Sequence, residues 1–273
     1  MSHTAFITGA TSGFGRACAQ LMAERGLRVY GTSRHAPPPV EPASERQPSL
    51  ISMDVRDESS VQSAVKFVLE QQGRIDVLVN NAGFGIMGSI EETSGPEALG
   101  QFETNFFGVH RVCRHVLPVM RRQRDGLVIN IGSIAGRFSL PFEGFYAASK
   151  HALAALTESM RMELAQSGIR VTLVEPGDFR TEFTAHRELA AAAEDPDSPY
   201  SARMHSALEV AAEDERHGAD PRMLAELVAG LVDKRRVDPR YLVGLRSQTL
   251  LTRLRWMIPD AWFEKLLMSH YRV

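Results

Sequence analysis

Short apolar runs alternate with longer segments of helical period along most of this 273-residue chain. The apolar runs are rich in β-branched residues and lie at 4–8, 28–32, 50–53, 77–80, 127–131, 170–174 and 241–243. The segments whose apolar residues recur at helical spacing lie at 13–25, 59–72, 96–122, 146–167 and 221–235. Such alternation predicts strand–helix–strand units, and the nearly continuous apolar character of the runs favours parallel strands buried on both faces.

The predicted architecture is an α/β fold, with a single Rossmann-type, doubly wound parallel sheet of about seven strands and helices on both faces. We expect residues 1–245 to form this domain and residues 246–273 to form a C-terminal helical extension. Two stretches interrupt the pattern. Residues 35–49 contain five prolines and predict an exposed loop, and residues 184–220, rich in alanine and acids, predict a flap within the domain.

The flap region and the end of the chain carry opposite charge. Residues 182–226 contain 11 acids and 4 arginines, a net charge of −7, whereas residues 234–273 contain 9 basic and 3 acidic residues, a net charge of +6. Charge asymmetry alone does not decide whether these two segments face each other or are solvated separately, so both arrangements stay open.

The composition excludes several classes of function. The 31 lysines and arginines against 33 acids give a net charge of −2, which provides no overall attraction for nucleic acid. The only cysteines, Cys18 and Cys113, lie in helical segments and predict reduced, packed thiols rather than a disulfide or a metal site. No signal-peptide pattern precedes the first strand and no apolar stretch reaches 18 residues, so we expect a cytoplasmic protein.

A glycine-rich turn, TGATSGFG at residues 8–15, follows the first predicted strand and opens the first helix. Glycines at this spacing permit a tight turn, let the backbone approach a pyrophosphate and let the helix pack closely on the strand. The helix N-terminus adds unpaired N–H groups and the positive end of a dipole. The turn therefore predicts a dinucleotide site, although glycine-rich turns also occur by chance.

The end of the second predicted strand bears on the choice between the two nicotinamide dinucleotides. Sites for NAD place an acid about 20 residues after the glycine turn, on the ribose 2′-hydroxyl. Here no Asp or Glu lies between Glu24 and Glu41, and the strand is followed by Arg34. A guanidinium pairs well with a 2′-phosphate, so we predict NADP(H) as the cofactor. In the alternative interpretation Arg34 is a solvated loop residue.

Tyr146 and Lys150 lie four residues apart at the start of a predicted helix, so their side chains share one face. A neighbouring ammonium lowers the pKa of a phenol from about 10 toward the range where it exchanges protons efficiently at neutral pH. Ser133 follows the strand at 127–131, at the sheet edge where open parallel sheets bind ligands, and could donate to a substrate carbonyl. As a nucleophile, Ser133 lacks the G-x-S-x-G elbow.

Asn105 is the fourth candidate for the site. It lies in the middle of the predicted helix at 96–122, and apolar Phe102, Phe106 and Val109 surround it at helical spacing. An asparagine inside a helix usually faces solvent, but these neighbours predict that Asn105 faces inward.

In order and spacing these residues resemble the short-chain dehydrogenase/reductase family over residues 3–182. The residues that carry the resemblance are the turn at 8–15, Asp54, Asn80-Asn81-Ala82-Gly83, Asn105, Ser133, Tyr146, Lys150 and Pro176-Gly177. The resemblance implies that Tyr146 is the general acid in reduction and the general base in oxidation. It implies that Lys150 lowers the pKa of Tyr146 and holds the nicotinamide ribose. Ser133 would orient the carbonyl, and Asn105 would anchor a water in a proton relay.

The same resemblance implies a set of cofactor contacts. Asp54 and Val55 would contact the adenine, and Thr181 would touch the carboxamide. The full implied set is Gly9, Thr11, Ser12, Gly13, Phe14, Gly15, Arg34, Asp54, Val55, Asn81, Ala82, Gly83, Tyr146, Lys150, Pro176, Gly177 and Thr181. Two small departures are Phe14, where isoleucine is common in the family, and Glu175 before Pro-Gly.

Three segments are expected to roof a substrate pocket: residues 84–87, residues 138–145 and the stretch after Gly177. Their large side chains are nearly all apolar, and apart from Arg137 and Arg180 no arginine clamp for a carboxylate is evident. The apolar members are Phe84, Ile86, Met87, Phe138, Leu140, Phe142, Phe179 and Phe183. Such walls suit a bulky hydrophobic ketone or alcohol, although for any one of the aromatics taken singly a core position is the better interpretation.

The extension at 246–273 resembles the tails of the hydroxysteroid and retinol dehydrogenase branch of the family. Its tryptophans and leucines recur at helical spacing among arginines and a lysine, so an interfacial amphipathic helix pair is conceivable. Packing against the body or a second subunit is favoured, because such residues are usually buried.

The sequence therefore predicts an NADP(H)-dependent oxidoreductase that interconverts a ketone or aldehyde and an alcohol on a steroid-like or retinoid-like substrate. One alternative is a reductase of smaller or acyl-carrier-bound ketones, for which a basic patch at the pocket mouth is expected. The other is a non-catalytic NADPH-sensing regulator, which the presence of both Tyr146 and Lys150 disfavours. The resemblance also implies a homodimer or homotetramer, built on the helices that begin near residues 96 and 146.

Overall fold

The seven apolar runs form one parallel sheet in the described part of the chain, residues 3–34 and 46–273 of a computed structural model. The elements in chain order are β1 (Thr4–Ile7), α1 (Gly13–Glu24), β2 (Arg28–Ser33), β3 (Ser49–Ser52), α2 (Glu58–Gln72), β4 (Val77–Asn80), β5 (Ile86–Met87), α3 (Gly95–Phe102), α4 (Gly108–Gln123), β6 (Gly126–Ile131), α5 (Gly144–Glu163), β7 (Ile169–Pro176), β8 (Glu188–Leu189), α6 (Ser201–Arg216), α7 (Pro221–Leu231), β9 (Arg240–Val243), α8 (Arg246–Leu254) and α9 (Asp260–Tyr271). The proline-rich loop predicted at 35–49 lies outside the described residues over 35–45.

The strand order in the sheet is β3-β2-β1-β4-β6-β7-β9. The chain winds outward from β1 in one direction and then returns to continue from β4 in the other, so the order reverses between β1 and β4. Ile7 of β1 pairs with Gly31 on one side and with Val79 on the other. Open parallel sheets bind ligands beyond the carboxyl ends of the strands at such a reversal. The predicted Rossmann-type fold is confirmed.

Helices cover both faces of the sheet because successive side chains of a strand point in opposite directions. Ala5 and Ile7 of β1 belong to a buried cluster that includes α1 and α7. Phe6, between them, belongs to a second cluster that includes α2, α4 and α5. A fully buried side chain of this size contributes roughly 1.5–3 kcal/mol relative to an exposed one, so both clusters hold the helices on the sheet.

Local signals set several helix ends. The Asp57 carboxylate accepts a hydrogen bond from the Ser59 N–H at 2.9 Å and begins α2, and Gly73, with φ of 70°, ends it. At the start of α3, Ser94 and Glu97 form a reciprocal capping box before a proline in the first turn. These contacts satisfy N–H groups that have no partner within the helix.

The predicted flap at 184–220 contains β8 and α6 and forms a small lobe beside the sheet. Glu188 and Leu189 of β8 pair in parallel with Ile86 and Met87 of β5, a second, two-stranded sheet. A third buried cluster joins β5, α6 and the last helix, α9. The acidic flap and the basic tail do meet, through His270 and Asp214, whose closest atoms are 2.7 Å apart.

The C-terminal extension packs onto the domain through part of its surface. Phe263 of α9 is fully buried, and its ring packs edge-on against Phe138 at 5.1 Å between centroids. The two tryptophans of the extension, in contrast, are exposed. Trp256 is 82% exposed and Trp262 is 73% exposed, so the expectation that these residues are buried is wrong for the isolated chain.

Within residues 3–34 and 46–273, no helix has the length and apolar character needed to cross a membrane. The same ranges hold no group of three or more His, Cys, Asp or Glu side chains placed to bind a metal ion.

Candidate active site

The glycine turn after β1 leaves room for a ligand because side chains cannot occupy it. Gly9 and Gly13 have φ of 65° and 47°, in the left-handed region that favours glycine. A Cβ atom on Gly15 would lie 2.0 Å from the carbonyl oxygen of Gly9, so any side chain there would displace the turn. The turn and the first turn of α1 therefore form a cradle of bare backbone, which fits a dinucleotide pyrophosphate.

Two polar side chains hold this cradle against β4. The Thr8 hydroxyl accepts hydrogen bonds from the N–H groups of Asn81 and Ala82, both at 2.9 Å. The Asn81 amide donates to the carbonyl oxygens of Thr8 and Gly9 at 3.0 and 2.9 Å. Asn81 therefore positions the turn from the side, in addition to lining the cavity described below.

Glu182 lies at the N-terminus of α1, which sequence reasoning did not predict. Its carboxylate accepts a hydrogen bond from the Gly13 N–H at 2.9 Å and pairs with Arg16 at 2.5 Å. The hydrogen bond from the Gly13 N–H and, to a smaller extent, the charge of Arg16 hold the pKa of the Glu182 carboxyl below its ordinary value. The protein thus places its own negative charge where a phosphate is expected, and only the three-dimensional path of the segment after β7 reveals this.

The carboxyl ends of β2 and β3 form the edge where the adenosine is expected. Asp54 forms a hydrogen-bonded ion pair with Arg56 at 2.7 Å. Hydrogen bonds from Arg56 lower the pKa of the Asp54 carboxyl, and the charge of exposed Arg34 lowers it slightly further. The Thr11 hydroxyl donates to the Ser33 hydroxyl at 3.2 Å. Val55 is buried behind this edge.

Three of the predicted catalytic side chains line one cavity of about 550 Å³. Ser133, Tyr146 and Lys150 meet there with most residues of the predicted nicotinamide end, namely Gly13, Phe14, Asn81, Gly83, Pro176, Gly177 and Thr181. The Lys150 ammonium lies 5.7 Å from the centroid of the Tyr146 ring and donates to the carbonyl oxygen of Ile131 at 3.0 Å. The Ser133 hydroxyl accepts from the Ala135 N–H at 3.0 Å, which leaves its proton available to donate.

Burial, rather than the charge of Lys150, has the largest effect on the pKa of Tyr146. Desolvation raises the pKa of the Tyr146 phenol, and the hydrogen bond with Ser133 offsets part of the rise. This direction is opposite to the lowering that the spacing of Tyr146 and Lys150 predicts. Desolvation also lowers the pKa of Lys150 to about 8. Both shifts have the same origin, because a buried site disfavours the charged form of each group.

Asn105 faces inward, as its apolar neighbours predict. It lies in a π-helical segment, Glu103–Phe107, that joins α3 and α4 into one continuous helix with a bulge. Its carbonyl oxygen accepts from the Phe84 N–H at 3.1 Å, and its amide donates to the Phe84 carbonyl at 3.0 Å and to the Ser149 hydroxyl at 3.2 Å. The side chain thus holds the loop after β4 with both amide hydrogens, and its oxygen keeps one acceptor position besides the bond from Phe84.

The walls of the cavity are only partly apolar, which corrects the expectation of nearly uniform apolar walls. Phe84, Phe138, Leu140, Phe179 and Phe183 line the cavity as predicted. Ile86, Met87 and Phe142 are absent from the lining and pack in the flap cluster. Sequence reasoning missed the charged members, which are Glu143, Asp178, Arg187, Asp214 and Glu215. The excess of acids at 182–226 is a signal that could have revealed Asp214 and Glu215, whereas no pattern in the sequence marked Glu143, Asp178 or Arg187.

Neither arginine that the sequence offered as a carboxylate clamp lines the cavity. Arg137 donates to Glu175, a fully buried carboxylate, at 2.9 and 2.5 Å. Arg240 pairs with the other oxygen of the same carboxylate at 3.3 Å. Arg180 is exposed and lies 3.7 Å from Asp220.

The C-terminal extension contributes directly to the site. Gln248 of α8 accepts a hydrogen bond from the Asp178 N–H at 3.0 Å and donates to the Asp178 carboxylate. Leu251 of α8 and Leu266 and Leu267 of α9 line the cavity. The extension therefore closes one side of the cavity and supports the loop after Gly177.

The fold, the glycine cradle and the Ser133, Tyr146 and Lys150 constellation define a nicotinamide-dependent oxidoreductase of the Rossmann type. The chain belongs to the short chain dehydrogenase family, whose sequence profile matches residues 3–191. The fold accordingly binds a nicotinamide dinucleotide.

Among its relatives, a 3-ketodihydrosphingosine reductase of Bacteroides thetaiotaomicron is 39% identical over 98% of this chain and 97% of its own length. A short chain dehydrogenase/reductase from Burkholderia phymatum, solved in complex with NAD, is 28% identical with a TM-score of 0.79, covering 94% of this chain and 93% of that one. An alcohol dehydrogenase from Thermococcus sibiricus, solved with 5-hydroxy-NADP, is 25% identical with a TM-score of 0.69, covering 89% and 97%. Relatives of this fold thus include both NAD and NADP complexes.

Proposed function

We propose that this chain is an NADP(H)-dependent reductase of long-chain ketones that carry a polar head group, in particular 3-ketodihydrosphingosine or a close analogue. The observation that carries the proposal is a single cavity in which Tyr146, Ser133 and Lys150 meet both the glycine cradle and a wall of mixed apolar and charged side chains. The name of the 39% identical relative supports the substrate class.

In the proposed reaction the nicotinamide supplies the hydride when it is bound. Ser133 donates a hydrogen bond that orients the substrate carbonyl, and the Tyr146 hydroxyl gives its proton to the carbonyl oxygen as negative charge develops there. Lys150, one helical turn away, stabilises the resulting phenolate. Asn105 keeps the loop after β4 in place through its bonds to Phe84, so its role is to position the wall of the site.

Two features support NADP(H) over NAD(H). No carboxylate follows β2 where NAD sites place one, and Arg34 directly follows β2 in that position. An arginine that binds a 2′-phosphate contributes charged hydrogen bonds of roughly 1.5–3 kcal/mol, so Arg34→Ala should lower the preference for NADPH about tenfold or more. Steady-state kcat/KM with NADPH and NADH tests this, with exposed Arg25→Ala as the control. A wild-type preference for NADH would contradict the proposal.

The charged groups in the cavity favour an amphiphilic substrate over the steroid-like or retinoid-like one that the sequence suggests. A wholly apolar ring system would displace water from Glu143 and Arg187 and give these groups no new partner. Acyl-carrier-bound ketones are disfavoured as well, because the lining has four carboxylates against two cations where a basic mouth is expected. An apolar chain can instead follow the wall made by Leu251, Leu266 and Leu267.

We also propose a cytoplasmic location and a homodimer. Cys18 and Cys113 are buried free thiols, as expected of a protein in a reducing compartment. The helices expected at a family dimer interface carry exposed apolar side chains, Leu99 on α3, Phe107 between α3 and α4, and Met162 on α5. Sedimentation equilibrium of the wild-type chain tests the subunit count.

Replacing Tyr146 with phenylalanine tests the proposed chemistry. The variant lacks the proton donor, so we expect it to bind NADPH with unchanged affinity and to lose about 10²–10⁴-fold in kcat with 3-ketodihydrosphingosine. NADPH absorbance reports turnover, and NADPH fluorescence reports binding. Tyr30→Phe, a phenol on β2 away from the cavity, is the control. Turnover close to wild type in Tyr146→Phe would refute the assignment.

A further inference from the structure

The cavity contains two buried charged groups, each with part of its hydrogen-bonding capacity unused among the described residues. The Arg187 side chain is only 4% exposed, and its Nη1 is buried without an acceptor. The Glu143 side chain is also more than nine-tenths buried and accepts no hydrogen bond in the described part of the chain. Its nearest cation is Nη2 of Arg187, at 3.6 Å. Buried polar groups are nearly always satisfied, so this pair calls for an explanation.

We propose that Glu143 and Arg187 form a head-group subsite that binds an ammonium and a neighbouring hydroxyl of the substrate. The Glu143 carboxylate would accept from the ammonium, and Nη1 of Arg187 would donate to the hydroxyl oxygen. The subsite rests on the proposed function and deepens it, because 3-ketodihydrosphingosine carries an amine on the carbon next to its ketone and a hydroxyl on the following carbon.

The position of the pair suits a head group attached next to the reacting carbonyl. Glu143 lies directly before α5, three residues before Tyr146 on the same side of the helix. The Phe183 ring lies between Tyr146 and Arg187, 5.7 Å from the Tyr146 ring and 5.7 Å from the guanidinium carbon. One side chain thus separates the proton donor from the orphaned guanidinium.

The charge around the pair selects a cation rather than an anion. Glu215 pairs with Nη2 of Arg187 and holds it in place. Asp178 and Asp214 also line the cavity, so its four carboxylates outnumber the cations Arg187 and Lys150 when the histidines are neutral. A substrate carboxylate would satisfy Arg187 but would be repelled by these acids, whereas an amino alcohol satisfies both orphaned groups.

The charges around the Tyr146 phenol also favour a cationic head group. The charges of Glu143 and Glu215 raise the pKa of Tyr146, which opposes the phenolate that forms on proton donation. Burial raises the pKa of Glu143 to about 7. An ammonium bound beside Glu143 would offset both effects, so the substrate would complete the charge balance of the site.

The test compares 3-ketodihydrosphingosine with its N-acetyl derivative, which keeps the chain, the ketone and the hydroxyl but has no charge. We expect wild type to prefer the amine by at least tenfold in kcat/KM with NADPH. Glu143→Gln should lower that ratio about tenfold, the factor one charged hydrogen bond supplies. The direct effect of the substitution on the Tyr146 pKa is common to both substrates, so the ratio reports the interaction between Glu143 and the ammonium. Glu163→Gln, an exposed acid at the far end of α5, should keep the wild-type ratio.

Thermal shift with dihydrosphingosine, the reduced product, gives a second measurement that needs no turnover. It should stabilise wild type and stabilise Glu143→Gln less. An unchanged ratio and thermal shift in a folded Glu143→Gln variant would overturn the subsite while leaving the proposed function intact. If wild type reduced other bulky ketones but neither of these two, the substrate class and the subsite would fail together.

A different observation carries a second proposal, on the outer surface of the extension. Seven apolar side chains of α8, α9 and the turn between them are exposed: Leu250, Leu254, Trp256, Met257, Trp262, Leu266 and Met268. Residues 246–273 also contain five arginines and lysines against two acids. Tryptophan flanked by basic residues is typical of surfaces that lie in the interface of an anionic bilayer.

We propose that this face docks on an anionic lipid surface. Leu266 is at once exposed and part of the cavity lining, so the face adjoins the wall along which a long-chain substrate would enter. The basic excess fits anionic phospholipid and would hinder close approach of a second copy of the same positive face.

The chain offers a direct assay, because Trp256 and Trp262 are its only tryptophans. Vesicles of phosphatidylcholine with phosphatidylglycerol should shift the fluorescence to shorter wavelength and sediment the protein, and high salt or pure phosphatidylcholine should weaken both effects. Trp262→Ser should reduce sedimentation, whereas Met223→Ser, exposed on α7, should not. Absence of the protein from the vesicle pellet, or a shift that depends on protein concentration without lipid, would overturn the proposal; the latter would indicate self-association.

Discussion

Replacing Glu182 with glutamine removes the negative charge that the protein places at the N-terminus of α1. The carboxylate accepts from the Gly13 N–H at 2.9 Å and pairs with Arg16 at 2.5 Å. A phosphate bound at the same helix N-terminus competes for this N–H and this guanidinium. We therefore expect Glu182→Gln to bind NADPH more tightly than wild type.

The structure sets the size of this effect. A carboxylate at an exposed helix N-terminus contributes roughly 0.3–1 kcal/mol. The ion pair with Arg16 is exposed, with side chains 59% and 38% accessible, and adds at most about 1 kcal/mol. Glutamine retains a neutral acceptor and loses only the charge. We therefore expect the substitution to weaken the competing contact by about 1 kcal/mol, which lowers the Kd of NADPH about fivefold.

The pH dependence of the competition follows from the lowered pKa of Glu182. A carboxylate whose pKa is lower in the folded state stabilises that state above its ordinary pKa, and this stabilisation is lost as the pH falls through the lowered value. At neutral pH the competing charge is fully present. The affinity advantage of Glu182→Gln over wild type should therefore be complete at neutral pH and should shrink in acid.

Fluorescence titration of NADPH against each protein measures the Kd. Glu24→Gln makes the same change at the other end of α1, and we expect it to leave the Kd unchanged. If Glu182→Gln bound NADPH with equal or weaker affinity at neutral pH, the carboxylate would be supporting the bound state rather than competing with it, and the reasoning would be refuted.

Two further predictions concern the cradle and the sheet. Gly15→Ala places a Cβ 2.0 Å from a backbone oxygen of the turn, so we expect at least a hundredfold loss of NADPH affinity by fluorescence with the fold retained by circular dichroism, whereas Gly100→Ala, which meets nothing within 4 Å, should bind normally. Glu175→Ala leaves two partly buried arginines without their shared carboxylate, and urea denaturation should show a loss of about 3–5 kcal/mol, against little change for exposed Glu163→Ala.

The sheet and its helices follow from the sequence because their signals are local and repeated. The strand predicted at 77–80 is observed as Val77–Asn80, and the other six predicted strands agree to within two residues at each end. Each predicted run has three or more apolar or β-branched residues between turn signals, which is enough for the pattern to be recognised. The long helix predicted at 96–122 is also observed, but its π-helical bulge at Asn105 is invisible to a count of helical spacing.

The flap could not be predicted in the same way. Strands β5 and β8 contain only two residues each, too few for any periodicity, and they exist because the chain brings residues 86–87 beside residues 188–189. In the segment that forms helix α6, the many alanines and acids hide the pattern of an apolar helix face in the sequence. The sequence showed an excess of negative charge in this region, but not that Glu143, Arg187 and Glu215 would meet inside the cavity.

The candidate site likewise contains some features that the sequence indicates and others that it does not. Ser133, Tyr146 and Lys150 share a cavity because two are on one face of α5 and the third ends an adjacent strand, which spacing alone indicates. The direction of the Tyr146 pKa shift, by contrast, depends on burial from every side. The contacts of Glu182 with the N-terminus of α1 and of Gln248 with Asp178 join segments far apart in the chain, so no local pattern indicates them.

Burial also gives the catalytic pair a preferred protonation state. Desolvation raises the pKa of Tyr146, so the phenol keeps its proton at neutral pH, and it lowers the pKa of Lys150 to about 8, which leaves the ammonium largely charged there. A protonated phenol can donate to a developing alkoxide, whereas oxidation of an alcohol needs the phenolate as a base. The carboxylates of Glu143 and Glu215 oppose that phenolate further. Reduction leaves the same phenolate on Tyr146 once its proton has been donated, so the positive charge of Lys150, and of an ammonium bound beside Glu143, would offset these acids in the reductive direction.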